Sequence, residues 1–223
     1  MWRTDYFRIH ENQYKKLKEE GKEGWADDID IKDPLAFINE TCQQEGITSG
    51  KLLDLGCGNG RFSIPFAEQG FDVYGIDISP TAIAWAKEKT KKRNLEIEYK
   101  VSNVTDLQYP DNFFNVVIDT LCLHCIIGDD RKIVLNQVYR VLKSGGIFIV
   151  ITMCGDPKEK ELIKDFEPTT RTVVRKGIAG RYIGLPEDIL KEIESAGFKI
   201  INWQIKKDPQ HQDELLAVAK KLK

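Results

Sequence analysis

Short apolar runs rich in Val and Ile recur along the chain, and helical patterns separate them. Five of these runs predict strands: "KLLDL" (51–55), "FDVYGID" (71–77), "LEIEYKV" (95–101), "FNVVIDT" (114–120) and "GIFIVIT" (146–152). Strands that alternate with helices form a parallel sheet that is covered by helices on both faces. The pattern therefore predicts an α/β fold built on one buried sheet.

The predicted helices have boundary signals of their own. Ser79 is placed to cap "PTAIAWAKEKTKKR", with Pro80 in the first turn of that helix. Gly145 and Gly146 follow "DDRKIVLNQVYRVLKS", and Gly197 follows "PEDILKEIESA". These residues predict where three of the helices that cover the sheet begin or end.

The two ends of the chain depart from the strand–helix alternation. Before the first strand, the sequence predicts helices over residues 5–20 and from Asp33 to near Gly46. Near the other end, "FKIINWQI" (198–205) and "ELLAVAK" (214–220) have no helix between them. We expect these two strands to pair as an antiparallel hairpin at one side of the sheet.

Residues 153–185 are polar and predict an irregular insertion between the fifth strand and the last helix. No repeat, low-complexity tract or linker divides the chain. We therefore expect a single domain over residues 1–223, with an N-terminal helical cap at 1–49 and a lid insertion at 153–185.

Composition and charge narrow the range of partners. The chain has 223 residues, of which 41% are hydrophobic and 30% charged, and its net charge is -2 from 33 basic and 35 acidic side chains. This balance gives no reason to expect a nucleic acid or an acidic membrane surface as partner. The first residues lack the apolar core of a secretory signal, and no apolar run approaches the roughly 18 residues of a membrane span. We expect a cytoplasmic protein.

The five cysteines predict reduced thiols rather than a disulfide framework, because their number is odd and the chain is large. Cys122 and Cys125 form a CxxC pair, but a tetrahedral zinc site needs a second pair of ligands. We therefore expect no bound metal.

A glycine-rich turn, "DLGCGNGRF" (54–62), follows the first predicted strand. Such a turn lets a ligand approach the backbone and exposes amides at a helix start. No Lys followed by Ser or Thr comes after it, so it does not fit the phosphate loop of nucleoside triphosphatases. Arg61 or Ser63 falls in the last glycine position of the dinucleotide pattern GxGxxG, depending on the register. A nicotinamide-dependent oxidoreductase is an alternative function, and this turn is the one feature that supports it.

Two acidic residues favour a different ligand. Asp54 stands just ahead of the turn, where it would repel a pyrophosphate and attract a positive charge. Asp77 ends the second predicted strand, where an acidic side chain can accept hydrogen bonds from both hydroxyls of a ribose. A ligand with a cationic group at one end and a nucleoside at the other satisfies both acids. S-adenosylmethionine is such a molecule.

Four segments of the chain resemble the successive signature segments of class I S-adenosylmethionine-dependent methyltransferases. These segments are "LLDLGCGNGRF", "VYGIDIS", "VSNVTDLQYPDNFFNVVID" and "VYRVLKSGGIFIV", and they cover most of residues 50–152. The resemblance implies a Rossmann-like seven-stranded sheet in the order 3-2-1-4-5-7-6, with strand 7 antiparallel. It also implies an enzyme that transfers a methyl group from S-adenosylmethionine by in-line displacement.

The resemblance also implies where the cofactor binds. Residues expected near its methionine end are Asp54, Gly56, Cys57, Gly58, Gly60, Asp119 and Leu121. Asp77 would hold the ribose, and Ile78 would pack on the adenine. Asn103 and Val104 stand where the family has an acidic residue and a small apolar one beside the adenine, and the amide keeps a hydrogen-bond acceptor there.

The acceptor must be recognised outside these segments. His124, in "DTLCLHCI", is a candidate general base, and a hydrogen-bonded structural imidazole is the alternative. The tetrapeptide [DN]PP[YF] of amide and amino methylation is absent after the fourth strand. Trp25, in "EGWADD", lies in a stretch that resembles small-molecule methyltransferases of the thiopurine and tellurite-resistance type. We therefore expect a small-molecule acceptor.

The insertion contains basic residues that are candidates for binding an oxyanion of the acceptor: Arg171, Arg175, Lys176 and Arg181. Arg181 and Tyr182 are the preferred pair because they precede "IGLPED" at the expected ligand edge of the sheet. A solvated charged face is the alternative. Other functions also remain open: a protein or RNA methyltransferase, and a non-catalytic sensor or partner subunit that binds S-adenosylmethionine.

Overall fold

Alternating strands and helices make up the computed structural model, which describes residues 4–22, 24–25, 31–209 and 211–222. The strands are β1 (Lys51–Leu55), β2 (Asp72–Asp77), β3 (Glu98–Val101), β4 (Phe114–Thr120), β5 (Leu142–Met153), β6 (Phe166–Glu167), β7 (Thr172–Arg175), β8 (Ile178–Tyr182), β9 (Lys199–Lys206) and β10 (Glu214–Lys220). The helices are α1 (Tyr6–Glu19), α2 (Lys32–Gln44), α3 (Ser63–Glu68), α4 (Pro80–Lys92), α5 (Asp129–Val141), α6 (Lys160–Asp165) and α7 (Pro186–Ser195), with a 3-10 turn at Leu123–Cys125.

Seven of these strands form the main sheet, in the order β3-β2-β1-β4-β5-β10-β9. β1 pairs in parallel with β2 and β4, whereas β10 is antiparallel to both β5 and β9. With β9 and β10 counted as the sixth and seventh strands of this sheet, the order is 3-2-1-4-5-7-6. The predicted Rossmann-like α/β fold and the predicted terminal hairpin are therefore confirmed.

The central strands are buried on both faces. Leu52 and Val116 belong to an apolar cluster that includes Ile38 of α2, while Leu53 belongs to a cluster on the opposite face that includes Val138 of α5. Successive residues of a strand point to opposite faces, so each strand contributes to both clusters. This two-sided burial explains why the strands form continuous apolar runs in the sequence.

The predicted helix boundaries are confirmed where a side chain caps the helix. Asp5 accepts a hydrogen bond from the amide of Arg8 at 3.2 Å, and α1 begins at the next residue, Tyr6. Ser79 accepts one from the amide of Ala82 at 3.1 Å, and α4 begins at Pro80. These local contacts are the ones that the sequence pattern predicts most directly.

One predicted boundary is wrong. The sequence predicts a helix over 129–144, but α5 ends at Val141 and β5 already begins at Leu142. The amide of Gly145 donates to the carbonyl of Lys221 at 2.7 Å, and the amide of Lys221 donates to Gly146 at 3.0 Å. The end of the chain therefore pairs with the glycines and draws them into the strand.

The segment 153–185 is not irregular as predicted. It contains α6 and a second sheet in the order β6-β7-β8. β7 and β8 are antiparallel and meet at Lys176 and Gly177, which have positive φ angles of 51° and 75°. Two such residues form the type I′ turn that suits a tight hairpin, and Lys176 is not one of the residues that usually signal it in a sequence.

Candidate functional site

The glycine turn after β1 has the backbone geometry that only glycine adopts without strain. Gly56, Gly58 and Gly60 have φ angles of 64°, 55° and 80°. A Cβ atom at Gly56 would lie 2.7 Å from the Sγ of Cys122, and one at Gly58 would overlap the hydroxyl of Tyr14. The turn is therefore closely covered by its neighbours and has no room for side chains.

Asp77 holds this turn to the end of β2. Its Oδ2 accepts a hydrogen bond from the amide of Gly58 at 2.9 Å, and its Oδ1 accepts one from the amide of Ser79 at 2.8 Å. Each carboxylate oxygen has further acceptor capacity. The predicted ribose-binding residue thus lies directly beside the predicted methionine-binding turn.

Asp54 and Asp119 lie beneath the turn, fully enclosed by protein. The Oδ2 of Asp54 accepts a hydrogen bond from the hydroxyl of Ser63 at 2.6 Å, and the Oδ1 of Asp119 accepts one from the amide of Cys122 at 3.0 Å. The other carboxylate oxygen of each residue is buried without a partner among the described residues. Burial raises the pKa of both carboxyls to about 7.

Burial also raises the pKa of Asp77, and hydrogen bonds from Ser79 and Gly58 oppose that rise. Three acidic side chains, Asp54, Asp77 and Asp119, are therefore gathered at one end of the sheet where water solvates them poorly. A cationic ligand would favour their charged forms. This arrangement agrees with the electrostatic preference that the sequence predicts for this end of the sheet.

The residues expected beside the adenine lie at the ends of β2 and β3. Ile78 is half-buried, Val104 is buried, and Asn103 follows β3 by two residues. The Oδ1 of Asn103 accepts a hydrogen bond from the amide of Thr105 at 3.1 Å, so its amide oxygen is already engaged in a local turn.

Helix α1 covers this region and contributes residues that the sequence analysis missed. Tyr14 is buried, and its side chain fills the space above Gly58. Glu11 is also buried, and its carboxylate accepts hydrogen bonds from the hydroxyls of Ser79 and Thr81, both at 2.7 Å. The helix that carries Tyr14 is thereby fastened beside Asp77.

A cavity of about 310 Å³ opens between the glycine turn, the end of β4 and α1. Its lining includes Gly56, Cys57, Gly58, Leu121 and His124. With Trp25 and Arg181, which also line it, seven predicted site residues therefore meet at one cavity. Asp54, Gly60, Asp77, Ile78, Asn103, Val104 and Asp119 do not line it.

Leu121 has a φ angle of 68°, which is unusual for a residue with a branched side chain. Its amide donates to the carbonyl of Ile151 at 2.8 Å, which fixes the turn at the end of β4. Strained backbone of this kind is found at functional sites, and here it lies at the cavity wall.

His124 is buried in the turn that follows β4. Its Nε2 lies 3.5 Å from the Sγ of Cys125, and its Nδ1 has no partner among the described residues. Burial, followed by the charge of Arg181, lowers the pKa of His124 well below its ordinary value. The imidazole is therefore neutral at physiological pH, as a proton acceptor must be.

A second cavity, of about 560 Å³, lies between α1, α6 and the small sheet. Ile9 and Gln13 line it from α1, and Leu162 and Val173 line it from α6 and β7. Four residues line both cavities: Trp25, Cys125, Glu159 and Arg181. We call these four residues the junction.

Trp25 packs edge-on against Tyr14 of α1, with the ring centroids 5.4 Å apart. Arg181 is half-buried, and its Nη1 lies 3.8 Å from the Sδ of Met153. Both residues therefore lie at the wall that the two cavities share, and their role in binding an acceptor stays a prediction.

Tyr182 is separated from Arg181. Its ring lies 4.2 Å below the guanidinium carbon of Arg131, and it lines neither of the two cavities. Arg181 and Tyr182 are adjacent residues of β8, so their side chains point to opposite faces. The expected pair does not act on one ligand in this arrangement.

The other basic residues of the insertion have partners or point to solvent. Arg171 donates to the carbonyl of Ile183 at 2.8 Å, and Arg175 donates to Asp165 at 2.8 Å. Lys176 is exposed in the hairpin turn. Arg181 is thus the member of this set that faces both cavities.

Within the described ranges, all five cysteines are free, and no group of three or more His, Cys, Asp or Glu side chains is arranged to hold a metal ion. The same residues include no helix that is both long and apolar enough to cross a bilayer.

Comparison with known proteins adds to this geometry. Residues 53–150 match a family model described as a methyltransferase domain. Phosphoethanolamine N-methyltransferase 3 of Arabidopsis thaliana is 36% identical over 111 residues, which cover 48% of this chain and 22% of that protein. The eEF1A lysine and N-terminal methyltransferase of Mus musculus is 32% identical over 111 residues, which cover 46% of this chain and 16% of that protein. The chain thus matches less than a quarter of the length of each.

Among solved structures, the fold is similar to that of the 1,6-didemethyltoxoflavin-N1-methyltransferase of Burkholderia thailandensis, solved with 1,6-didemethyltoxoflavin and S-adenosylhomocysteine bound. The TM-score is 0.74 at 19% identity, and the match covers 98% of this chain and 89% of that one. At this identity the similarity establishes the fold, including the part of the chain outside residues 53–150.

Proposed function

The chain carries a class I S-adenosylmethionine-dependent methyltransferase domain, and on this premise we propose that it methylates a small molecule bound beside the glycine turn. The observation that carries this proposal is the pair of cavities that meet at the junction. The smaller cavity is lined by the glycine turn, and the larger one is lined by α1, α6 and the small sheet. Together they offer the volume of a small-molecule site.

The residues present fit the cofactor. Asp54, Asp77 and Asp119 place three poorly solvated carboxyls near the turn, two of them with an unpartnered oxygen. When bound, S-adenosylmethionine supplies a methyl group that its sulfonium has already activated for displacement. We propose that Gly56, Cys57, Gly58, Gly60 and Leu121 hold the methionine end, and that Asp77 holds the ribose.

At the other end of the cofactor, Ile78, Asn103 and Val104 are the proposed adenine neighbours. They follow β2 and β3 at the carboxyl ends of the parallel strands, where ligands of such sheets bind. Asn103 would present its NH2 group or its carbonyl there. Because Oδ1 already accepts a bond from Thr105, the NH2 group is the freer of the two.

The chain's main contribution to the reaction is alignment and exclusion of water. Tyr14 and Trp25 close the smaller cavity from the side of α1, and Leu121 fixes the opposite wall. An acceptor that enters from the larger cavity must pass the junction to reach the glycine turn. This route holds the acceptor on one side of the cofactor.

His124 is the proposed proton acceptor for an acceptor that arrives protonated. The imidazole lines the smaller cavity and is neutral before the reaction, and its lowered pKa makes it a weak base unless the bound ligands raise it. Its Nδ1 is currently enclosed, so a rotation of the ring or a small opening of the cavity is part of this proposal. A structural role for the ring predicts normal turnover in a His124→Asn variant that still folds.

The test is to incubate the protein with methyl-labelled S-adenosylmethionine and a cell extract separated into small-molecule and macromolecular fractions. We expect label in the small-molecule fraction, and no labelling by a Gly58→Val variant. Label confined to protein or RNA would instead indicate a macromolecular acceptor, and one of the relatives is named as a protein methyltransferase.

A sensor or partner subunit would bind S-adenosylhomocysteine, the product form of the cofactor, and label neither fraction. Binding measured by calorimetry on the same preparation therefore separates a non-catalytic protein from an inactive one. If the protein neither binds S-adenosylhomocysteine nor labels either fraction, the proposed function as a whole is overturned.

A further inference from the structure

The junction between the two cavities contains an unpaired positive charge. Arg181 is half-buried, and within the described part of the chain it forms no ion pair and makes one polar contact, to the Sδ of Met153 at 3.8 Å. A guanidinium has five N–H donors in a planar fork, and it loses solvation when it is partly enclosed. Most of the hydrogen-bonding capacity of Arg181 is thus unused by the protein.

Nearby arginines show the contrast. Arg131 is buried and donates to Glu192 and to the carbonyl of Leu123. Arg171 donates to carbonyl oxygens and to Asp156, and Arg175 donates to Asp165. These three guanidinium groups are engaged by carboxylates or carbonyls, whereas the guanidinium of Arg181 lines both cavities without such a partner among the described residues.

The junction also contains an unpaired negative charge. Glu159 lines both cavities and is half-buried at the start of α6. Its carbonyl accepts the amides of Leu162 and Ile163, but its carboxylate has no hydrogen-bond or ion-pair partner among the described residues. Glu159 and Arg181 line the same cavities without forming an ion pair with each other.

The smaller cavity is also lined by Arg61, and the larger one by Glu161 and by Arg175, which pairs with Asp165. Arg181 and Glu159 are the two opposite charges that line both cavities, and because they do not neutralise each other they fit a ligand that carries both complementary charges. A ligand with only an anionic group would bind Arg181 but be repelled by the carboxylate of Glu159. A ligand with only an amine would bind Glu159 but be repelled by the guanidinium of Arg181. A zwitterion would form charge-assisted hydrogen bonds to both of these half-buried groups.

We propose that the methyl acceptor is a small zwitterion, with a carboxylate or phosphate that binds Arg181 and a protonated amine that binds Glu159. This inference rests on the proposed function, because it names the acceptor class of the same site. Arg181 and Glu159 recognise these two groups and are not themselves part of the methyl transfer. The anionic group is not the methylated atom, so the product keeps both charges.

The position of the junction explains how recognition would align the acceptor. Both residues line the larger cavity and also the smaller one, which contains the glycine turn. A zwitterion held there spans the connection between the cavities. Its remaining atoms can extend toward Leu121 and His124, where the proposed reaction takes place.

The test is the charge of the labelled product from the small-molecule fraction of an extract. After incubation with methyl-labelled S-adenosylmethionine, the product is separated by electrophoresis at acidic, neutral and alkaline pH. We expect a product with a carboxylate to migrate to the cathode in acid and little at neutral pH. A product with a phosphate should migrate little in acid, to the anode at neutral pH, and to the cathode after phosphatase treatment. A labelled product that is uncharged, or charged with one sign at every pH, would overturn the inference while leaving the proposed function intact.

Variants provide the second arm. Arg181→Ala and Glu159→Gln should each lower labelling at limiting extract by about tenfold, the effect of losing one charge-assisted hydrogen bond. The dissociation constant of S-adenosylhomocysteine should remain within about twofold, since a tenfold change would need more than 1 kcal/mol. Arg93→Ala is the matched control, because Arg93 follows the end of α4, forms an exposed ion pair with Glu68 and lines neither cavity.

The binding of S-adenosylhomocysteine by these variants shows whether the junction holds the acceptor or the cofactor. This control is needed because S-adenosylmethionine itself carries an ammonium and a carboxylate. If either variant weakens S-adenosylhomocysteine binding as much as it lowers labelling, the junction holds the methionine end of the cofactor. That result would overturn the assignment to the acceptor. Phosphate and carboxylate acceptors are told apart by phosphatase treatment of the labelled product, which removes its negative charge only if a phosphate is present.

Discussion

The hydroxyl of Ser79 donates a hydrogen bond to the carboxylate of Glu11 at 2.7 Å, across 68 residues of sequence. Thr81 donates two more bonds to the same carboxylate, from its hydroxyl at 2.7 Å and from its amide at 3.2 Å. Helix α1 is thereby attached to the start of α4, next to Asp77. Helix α1, which covers the glycine turn, and Asp77, the proposed ribose-binding residue, are therefore both hydrogen-bonded to Ser79.

Replacing Glu11 should loosen this cover. Glu11→Ala leaves buried donors without an acceptor, which costs about 1–3 kcal/mol and lowers the melting temperature by on the order of 2–10 °C in a chain of this size. We expect weaker S-adenosylhomocysteine binding as well, because Ser79 also donates to Asp77. Differential scanning fluorimetry and calorimetry measure the two effects.

Glu19→Ala is the control, since Glu19 is exposed near the end of the same helix. Glu11→Gln keeps an acceptor and should lie between the wild type and the alanine variant. If Glu11→Ala matched the control in both measurements, α1 would not be held by this contact.

A side chain at Gly58 should prevent cofactor binding. Gly58→Val places a branched side chain at a φ of 55°, and its Cβ would overlap the hydroxyl of Tyr14. We expect loss of detectable S-adenosylhomocysteine binding with a retained circular dichroism spectrum. Gly70→Ala is the control, because Gly70 has a φ of 90° and no atom near the added Cβ. Normal binding by the valine variant would remove this turn from the site.

Removing the carboxylate of Asp77 should weaken cofactor binding by an order of magnitude or more. The charge-assisted hydrogen bonds that it would make to a ribose are worth about 1.5 kcal/mol or above. Asp72→Ala at the other end of β2 is the control, since Asp72 pairs with Lys51 at the surface. An unchanged dissociation constant would mean that other residues hold the ribose.

The buried carboxyl of Asp54 should make the ligand-free protein less stable at high pH. Burial raises the pKa of Asp54 from 3.8 to about 7, so the folded state retains a proton that the unfolded state has lost. Stability therefore falls as the pH rises between these two values, and the cost is complete above about pH 7. Asp54→Asn should raise the melting temperature most at pH 8, by a smaller amount at pH 6, and little near pH 4.

The measurement is the melting temperature of both proteins across this pH range without ligand. Asparagine can still accept the hydrogen bond from Ser63 through its carbonyl oxygen. An asparagine variant with the same pH dependence as the wild type would show that Asp54 is not protonated in the folded protein.

The sequence predicts those parts of the site that are local to one turn. The positive φ angles of the glycine turn and the position of Asp77 at the end of β2 follow from the strand pattern and the spacing of these residues. The strand order could also be predicted, but only from the resemblance to a family, because hydrophobic periodicity locates strands without giving their order in the sheet.

Contacts between distant segments could not be predicted in the same way. Glu11 and Tyr14 read as members of a helix, and nothing in their spacing indicates that they meet Ser79 and Gly58. The pairing of Arg181 with Tyr182 failed for a different reason. Residues 178–182 form a strand, so neighbouring side chains point to opposite faces, whereas the sequence predicts an irregular insertion there.

The most direct test of the account is calorimetric titration of the purified protein with S-adenosylmethionine between pH 6 and pH 8, in buffers of different ionisation enthalpy. A cation bound near Asp54, Asp77 and Asp119 favours their ionised forms, so the account predicts binding that strengthens as the pH rises through about 7 and releases protons at pH 6. Neither heat nor a thermal shift with S-adenosylmethionine or S-adenosylhomocysteine at millimolar concentration would contradict it.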